Sequence, residues 1–119
     1  MGKVYIVEDE ALVAMLIEDM VTELGHEVVA MAKSLDEALL TAQSLHCDFA
    51  LLDINLNGQT SFPIAHTLAG RGIPFLFASG YGPAGLDAEF SGCPILSKPF
   101  SIAQLDKQIQ HCLGNAAIS

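Results

Sequence analysis

Apolar residues gather in five short runs along the chain. They are Val4–Val7, Val28–Met31, Asp48–Leu52 (behind its leading aspartate), Phe75–Ala78 and Pro94–Ser97. Runs this short and this continuous fit strands buried on both faces. Between them the period changes to that of a helix. After the first run Leu12, Leu16, Met20 and Leu24 recur on one face, with Val13 and Ile17 beside them. Glu18, Asp19, Thr22 and Glu23 take the other face. The spacing predicts a helix that turns the leucine face to the core and stops at Gly25. Ser34 and Glu37 form a capping box that opens a second helix, with Leu35, Ala38, Leu39, Ala42 and Leu45 inward. A third helix starts near Ser61, tolerates Pro63 in its first turn, buries Ile64, Ala65 and Leu68, and ends at Gly70 and Gly72. Residues Gly80 to Gly85 are rich in breakers, so any helix between Leu86 and Phe90 is short. Ser101 and Gln104 form another capping box. It opens a last helix with Ile102, Leu105, Ile109 and Leu113 inward and Gly114 as its stop, leaving residues 114–119 as a loose tail.

Five strand-helix units in one chain predict an α/β fold with a parallel five-stranded sheet, doubly wound, as a single domain over residues 1–119. In such sheets ligands bind beyond the carboxyl ends of the strands. Glu8-Asp9, Asp53, Ser79 and Lys98 all follow such ends. Asp53 is the hardest to dismiss. A carboxylate closing the run Phe49-Ala50-Leu51-Leu52 is disfavoured by burial, and the Asn57-Gly58 turn behind it supplies no countercharge. Alone, Glu8 and Asp9 suit a helix N-terminus, Ser79 suits a turn and Lys98 suits the surface. Together at one sheet edge they describe a site.

Composition narrows the chemistry. The chain has 119 residues, half of them hydrophobic, and a net charge of −9 with only five Lys and Arg. That excludes a phosphate-binding nucleic-acid surface and an anionic-membrane surface. It also suits acidic groups gathered around a cation. Cys47, Cys93 and Cys112 are widely spaced thiols expected to pack in a reduced, cytoplasmic protein. His46-Cys47 and His111-Cys112 lack zinc-ligand spacing, and His26 and His66 read as a turn and a surface residue. There is no signal peptide and no apolar stretch long enough to span a membrane, and Met1 with the short tail suits a complete protein.

Carboxylates from Glu8, Asp9 and Asp53, with a backbone carbonyl such as that of Asn55, offer the hard oxygen donors that magnesium prefers. Lys98 is a point charge for a carboxylate or a phosphoryl oxygen, and Ser79 is a hydroxyl donor. An aspartate beside a magnesium ion and a lysine is equipped to attack phosphorus and form an acyl phosphate.

These residues resemble the receiver domain of bacterial two-component response regulators. The resemblance rests on Val7-Glu8-Asp9-Glu10, Leu51-Leu52-Asp53 with the Gly58 turn, Phe77-Ala78-Ser79-Gly80 and Ser97-Lys98-Pro99-Phe100. It implies a flavodoxin-like sheet of order 2-1-3-4-5 and a stand-alone phosphoacceptor that is not a turnover enzyme. Asp53 would take a phosphoryl group from a histidine kinase or a histidine phosphotransfer protein. Glu8 (through water), Asp9, Asp53 and the Asn55 carbonyl would hold Mg2+, Ser79 and Lys98 would bind the phosphoryl oxygens, and the Lys98-Pro99 bond would be cis. Output would come from a downstream protein partner or from draining phosphoryl groups. Two details set the chain apart. Ile95 stands where receivers usually carry the switch aromatic, and Phe77-Ala78-Ser79-Gly80-Tyr81 resembles the subgroup named for a Phe-Ala-Thr-Gly-x-Tyr-like motif. That subgroup implies a mobile or short fourth helix, with any signalling change between Gly80 and Phe90, and the resemblance to receivers implies that the positions of Asn55 and Tyr81 flank the phosphoryl group and tune its lifetime.

Three other readings are weaker. A magnesium-dependent phosphohydrolase of the haloacid dehalogenase type would carry Asp two residues after its nucleophile, where this chain has Asn55. A fold-only interaction module would not need the full acceptor set. A flavodoxin-like cofactor binder would need a phosphate-cradling loop after the first strand.

Overall fold

A computed structural model describes residues 2–80, 90 and 93–118, the last five of these as helical backbone. The elements in chain order are β1 (Lys3–Val7), α1 (Ala11–Glu23), β2 (Glu27–Ala32), α2 (Leu35–Ala42), β3 (Phe49–Asp53), β4 (Asn55–Leu56), β5 (Gln59–Thr60), α3 (Phe62–Gly70), β6 (Phe75–Ser79), β7 (Ile95–Ser97) and α4 (Ile102–Ile118). The five main strands are parallel and lie in the order β2-β1-β3-β6-β7. Counted over the main strands this is 2-1-3-4-5, the doubly wound arrangement expected from the sequence.

The sheet divides the core into two layers, because successive side chains of a strand point to opposite faces. Tyr5, Val7, Ala50, Leu52 and Phe77 pack with Ala38 and Ala42 of α2 and with Ile64, Ala65 and Leu68 of α3. Val4, Ile6, Phe49, Leu51 and Leu76 pack with Ile17 and Val21 of α1 and with Leu105 and Ile109 of α4. The central strand β3 is buried along its whole length, Asp53 included.

The Ser101 capping box closes fully, and the one at Ser34 forms with its return bond shifted to the preceding amide. The Glu37 amide donates to Ser34 Oγ at 3.2 Å, and Glu37 reaches back to the Lys33 amide at 2.8 Å. The Gln104 amide donates to Ser101 Oγ at 3.1 Å, and Gln104 returns the bond to the Ser101 amide at 2.8 Å.

Three details differ from the sequence reading, and a fourth adds to it. Leu12 and Leu16 are 77% and 58% exposed, and the buried face of α1 is Ala14, Ile17 and Val21. The first seven residues of α1 are all apolar, so the pattern there selects no face. The small Ala14 side chain is the one compatible with close approach to the sheet. Second, α4 continues through Gly114 to Ile118. One glycine in a helix costs only about 1 kcal/mol, and Ala116 and Ala117 beyond it are strong helix formers. Third, His26, read from the sequence only as a residue of the turn after α1, is buried and bonded. It is 7% exposed, its Nδ1 accepts the Gly2 amide at 2.9 Å, and its ring meets Phe49 edge-on. Fourth, a guanidinium closes the far end of the molecule: Arg71 Nη1 donates to the carbonyls of Ala42 and Leu45 at the end of α2. No helix among the described residues is long and apolar enough to cross a membrane.

Candidate functional site at the carboxyl edge of the sheet

Three strand ends meet at the site. Glu8 follows β1, and its amide donates to the Ala32 carbonyl at 3.0 Å, extending the β1–β2 pairing by one residue. Asp53 is the last residue of β3 and pairs in register with Ala78. Ser79 is the last residue of β6, and its carbonyl accepts the Lys98 amide at 2.8 Å. That bond fixes the start of the segment after β7 beside the serine. The Lys98-Pro99 peptide is cis, as the resemblance implied.

The stretch after Asp53 is shaped by two residues. Asn57 has φ 54° and Gly58 has φ 86°, the left-handed pair that a two-residue type I′ hairpin turn requires. They join β4 to β5, a hairpin that was legible in the sequence only as an Asn-Gly turn. Asn55 Oδ1 accepts the Gly58 amide at 2.8 Å, and Asp9 Oδ2 accepts the Asn57 amide at 3.0 Å. The turn is thereby docked onto the first acidic loop.

Lys98 lies between two buried carboxylates. Its Nζ is 3.0 and 2.9 Å from the two oxygens of Glu8 and 3.3 Å from Asp53 Oδ2. One ammonium therefore serves two carboxylates. Burial pushes Asp53 up, and hydrogen bonding with Glu8 and its negative charge push it further, against the pull of Lys98, to about 8. Burial alone would lower Lys98, but the Glu8 hydrogen bond and the charges of Asp53 and Glu8 outweigh it and hold the lysine above its ordinary value. One ammonium cannot balance two ionised carboxylates, and Asp53 is the one that holds its proton well above the ordinary carboxylate range.

A cleft of about 500 Å³ opens over Asp53, lined by Asp9, Glu10, Asn55, Asn57, Gly58, Gly80 and Lys98. Its donors are hard oxygens and its charge is unbalanced toward negative, the chemistry that suits magnesium. Asp9, Asp53 and the Asn55 carbonyl are the residues that would hold it. One carboxylate oxygen each from Glu8, Asp9 and Glu10 lie within 4.8 Å of one another. Sequence reasoning had Asp53, Glu8, Asp9, Asn55, Ser79 and Lys98 at this edge, and the fold brings them to it. It missed the cleft positions of Glu10 and Asn57. The signal for Asn57 was its place before Gly58; for Glu10 no spacing rule distinguished it from an ordinary helix-start acid. Tyr81 and residues 81–89 lie outside the described residues, so the expectations for Tyr81 and for a short fourth helix fall there too.

This geometry has relatives. The model of the response regulator receiver domain matches residues 4–110. The chain belongs to the receiver domain family. The receiver is 30% identical over 115 residues to the phyllosphere-induced regulator PhyR of Methylorubrum extorquens, covering 93% of this chain and 43% of that protein. It spans about half the length of the curated relatives it matches. Among solved structures it resembles SdrG from Sphingomonas melonis Fr1, with 37% identity, a TM-score of 0.85 and 95% and 97% of the two chains covered. It shares its fold with the receiver domain of the sensor histidine kinase PA1611 from Pseudomonas aeruginosa PAO1, with 23% identity, a TM-score of 0.77 and 95% and 98% coverage. That structure has a magnesium ion coordinated in its active-site cleft. In the receiver described here, Ile95 occupies β7 opposite Phe77, where the sequence placed it in the stead of an aromatic residue.

Proposed function

We propose that this receiver is a magnesium-dependent phosphoacceptor of two-component signalling, with Asp53 as the residue modified. The observation that carries the reading is the buried Asp53 at a strand end, 3.3 Å from Lys98 and opening onto a cleft of oxygen donors. A buried carboxylate short of countercharge is stabilised by a cation and is positioned as a nucleophile.

The chemistry is a transfer. An Asp53 oxygen forms a bond to phosphorus as the bond from phosphorus to the donor group breaks, and the donor leaves with that electron pair. Magnesium, when bound, supplies positive charge to the phosphoryl oxygens. Lys98 lies close enough to exchange Asp53 for a phosphoryl oxygen. Ser79, at the neighbouring strand end, offers a hydroxyl donor, and Gly80 keeps the cleft wall low. The donor class is a phosphohistidine on a kinase or phosphotransfer protein. The receiver promotes its own modification and does not turn over a separate substrate. We place it in the cytoplasm, where such donors act, and read its Phe77–Tyr81 motif as that of the Phe-Ala-Thr-Gly-x-Tyr-like subgroup.

The phosphohydrolase alternative needs a general acid two residues after the nucleophile. Asn55 stands there with its side-chain oxygen committed to the Gly58 amide.

Intact-protein mass spectrometry after incubation with acetyl phosphate and Mg2+ tests the proposal. One phosphoryl adduct is expected, absent in Asp53→Asn and absent without metal. A folded wild-type protein that stays unmodified by acetyl phosphate and by a phosphohistidine donor would refute it.

A further inference from the structure

The chain has five lysines and arginines against fourteen acids, and the five are not spread evenly. Lys98 is spent at the carboxyl edge of the sheet. Two of the other four, Lys3 and Arg71, come together at the opposite, amino edge. There they line a cleft of about 560 Å³ with His46, Cys47, Asp48 and Ile73. Lys3 opens β1, Arg71 is the C-cap of α3, and residues 46–48 lead into β3. This cleft shares no residue with the one over Asp53.

Its cations are held in place without being neutralised. Arg71 Nη1 donates to the carbonyls of Ala42 and Leu45 at 2.9 and 2.7 Å, and the other guanidinium nitrogens donate to no group among the described residues. Neutral carbonyls therefore fix the direction of the guanidinium and leave its charge unmatched. Neither Arg71 nor Lys3 forms an ion pair among the described residues. Asp48 is the one carboxylate of the lining, and its Oδ2 accepts the Lys3 amide at 2.7 Å. Burial pushes the Cys47 thiol up, Arg71 pulls against it and Asp48 adds to it, so the sulfur brings no negative charge at neutral pH. Two cations and an imidazole thus stand against one carboxylate, a positive spot on a chain whose net charge is −9.

A guanidinium fork beside an ammonium is the pairing that recognises phosphate oxygens. The cleft has room for more than a bare ion, since ligand pockets run from about 300 to 1,000 Å³. Ile73 and the Cys47 thiol, both partly buried, give it an apolar side. The acidity of the chain repels a polyanion along its whole length. A single compact dianion is screened from acids farther than about 8 Å away. We infer that the amino edge carries a second binding site, in which Lys3 and Arg71 hold the phosphate of a small phosphomonoester and His46 supplies a further donor. The site lies apart from Asp53, so it does not depend on the phosphoacceptor reading. An Arg71 that only closed the end of α2 would account for the two carbonyl bonds and leave the convergence of Lys3 and His46 on it unexplained.

The experiment is an NMR titration of the 15N-labelled whole chain with glycerol 2-phosphate at constant ionic strength. Saturable shifts are expected at the amides of Lys3, His46, Cys47, Asp48 and Ile73, in wild type and equally in Asp53→Asn. Arg71 also holds the end of α2, so Lys3→Gln, on an exposed side chain, is the deciding variant. It is expected to weaken binding about tenfold, the scale of one hydrogen bond to a charged group. Lys107→Gln removes the same charge from α4 and is expected to stay within about twofold. Absence of saturable shifts, equal affinities in the two lysine variants, or shifts that vanish in Asp53→Asn would each overturn the site. Inorganic phosphate is expected to bind more weakly than the ester, and equal binding would overturn the ester in favour of the bare ion. A glutamate-rich peptide that moved the same amides at lower concentration would overturn the small ligand in favour of an acidic protein partner.

Discussion

Lys98 reaches two carboxylates and can neutralise one, and that shortage sets the character of the residues around it. Asp53 is raised to about 8 from an ordinary 3.8, so between those values the folded chain holds a proton that the unfolded chain has lost. Asp53 therefore stabilises less as pH rises through that window. His26 works with the opposite sign. Burial lowers it first, the positive amino terminus adds to that, and Asp106 opposes weakly. Its Nδ1 must stay unprotonated to accept the Gly2 amide, and its Nε2 has no hydrogen-bond partner among the described residues. Below 6.5 the unfolded chain takes the proton first, so the His26 contribution is complete above 6.5 and declines as pH falls through the lowered folded value. His26→Asn keeps an acceptor for the Gly2 amide and removes the titration. Wild type is expected to lose stability relative to this variant as pH falls from 7 to 5. Urea melts of both proteins at the two pH values measure it, and parallel curves would show that His26 does not titrate in the fold. Asp53 was legible in the sequence because a charge ending an apolar run is anomalous by itself. His26 was not, because its partner is a backbone amide 24 residues away.

The elements were legible wherever local chemistry fixed them. Ser34 with Glu37 and Ser101 with Gln104 announced two helix starts, and Asn57-Gly58 announced a turn. Helix α1 shows where such reading stops. Its existence followed from the period, but its orientation did not, since the run Ala11 to Ile17 offers apolar side chains in every direction. The sheet chose the face carrying Ala14, Ile17 and Val21 and left Leu12 and Leu16 in solvent. Ile17→Ala is therefore expected to destabilise by about 2–4 kcal/mol. Leu12→Gln is expected to stay within about 0.5 kcal/mol of wild type. Chemical denaturation distinguishes the two, and equal losses would restore the leucine face as the buried one. The end of α4 is the same lesson in reverse. Gly114 is a sufficient stop only when the residues after it disfavour a helix, and here Asn115-Ala116-Ala117 continue it to Ile118.

At the scale of the molecule, a parallel sheet and the location of the site followed from the alternation of strands and helices, since crossover helices place every strand's carboxyl end on one edge, while the strand order came from the resemblance to receivers. What alternation could not supply was the division of labour at that edge: which acid meets Lys98 and which meets the cleft depends on tenths of an ångström and on side-chain direction. The two-layered core has a consequence of its own. A strand residue can face only one layer, so a void opened beneath α3 has no shared neighbours with one opened beneath α4. Ile64→Val and Ile109→Val, one in each layer, are expected to be additive in a double mutant within about 0.5 kcal/mol. Coupling beyond that, in a thermodynamic cycle of the four proteins, would mean that the sheet bends as a unit. Additivity would mean that it acts as a partition, so that each layer of this receiver can drift in sequence without consulting the other, while the carboxyl edge, where both layers end, answers to both.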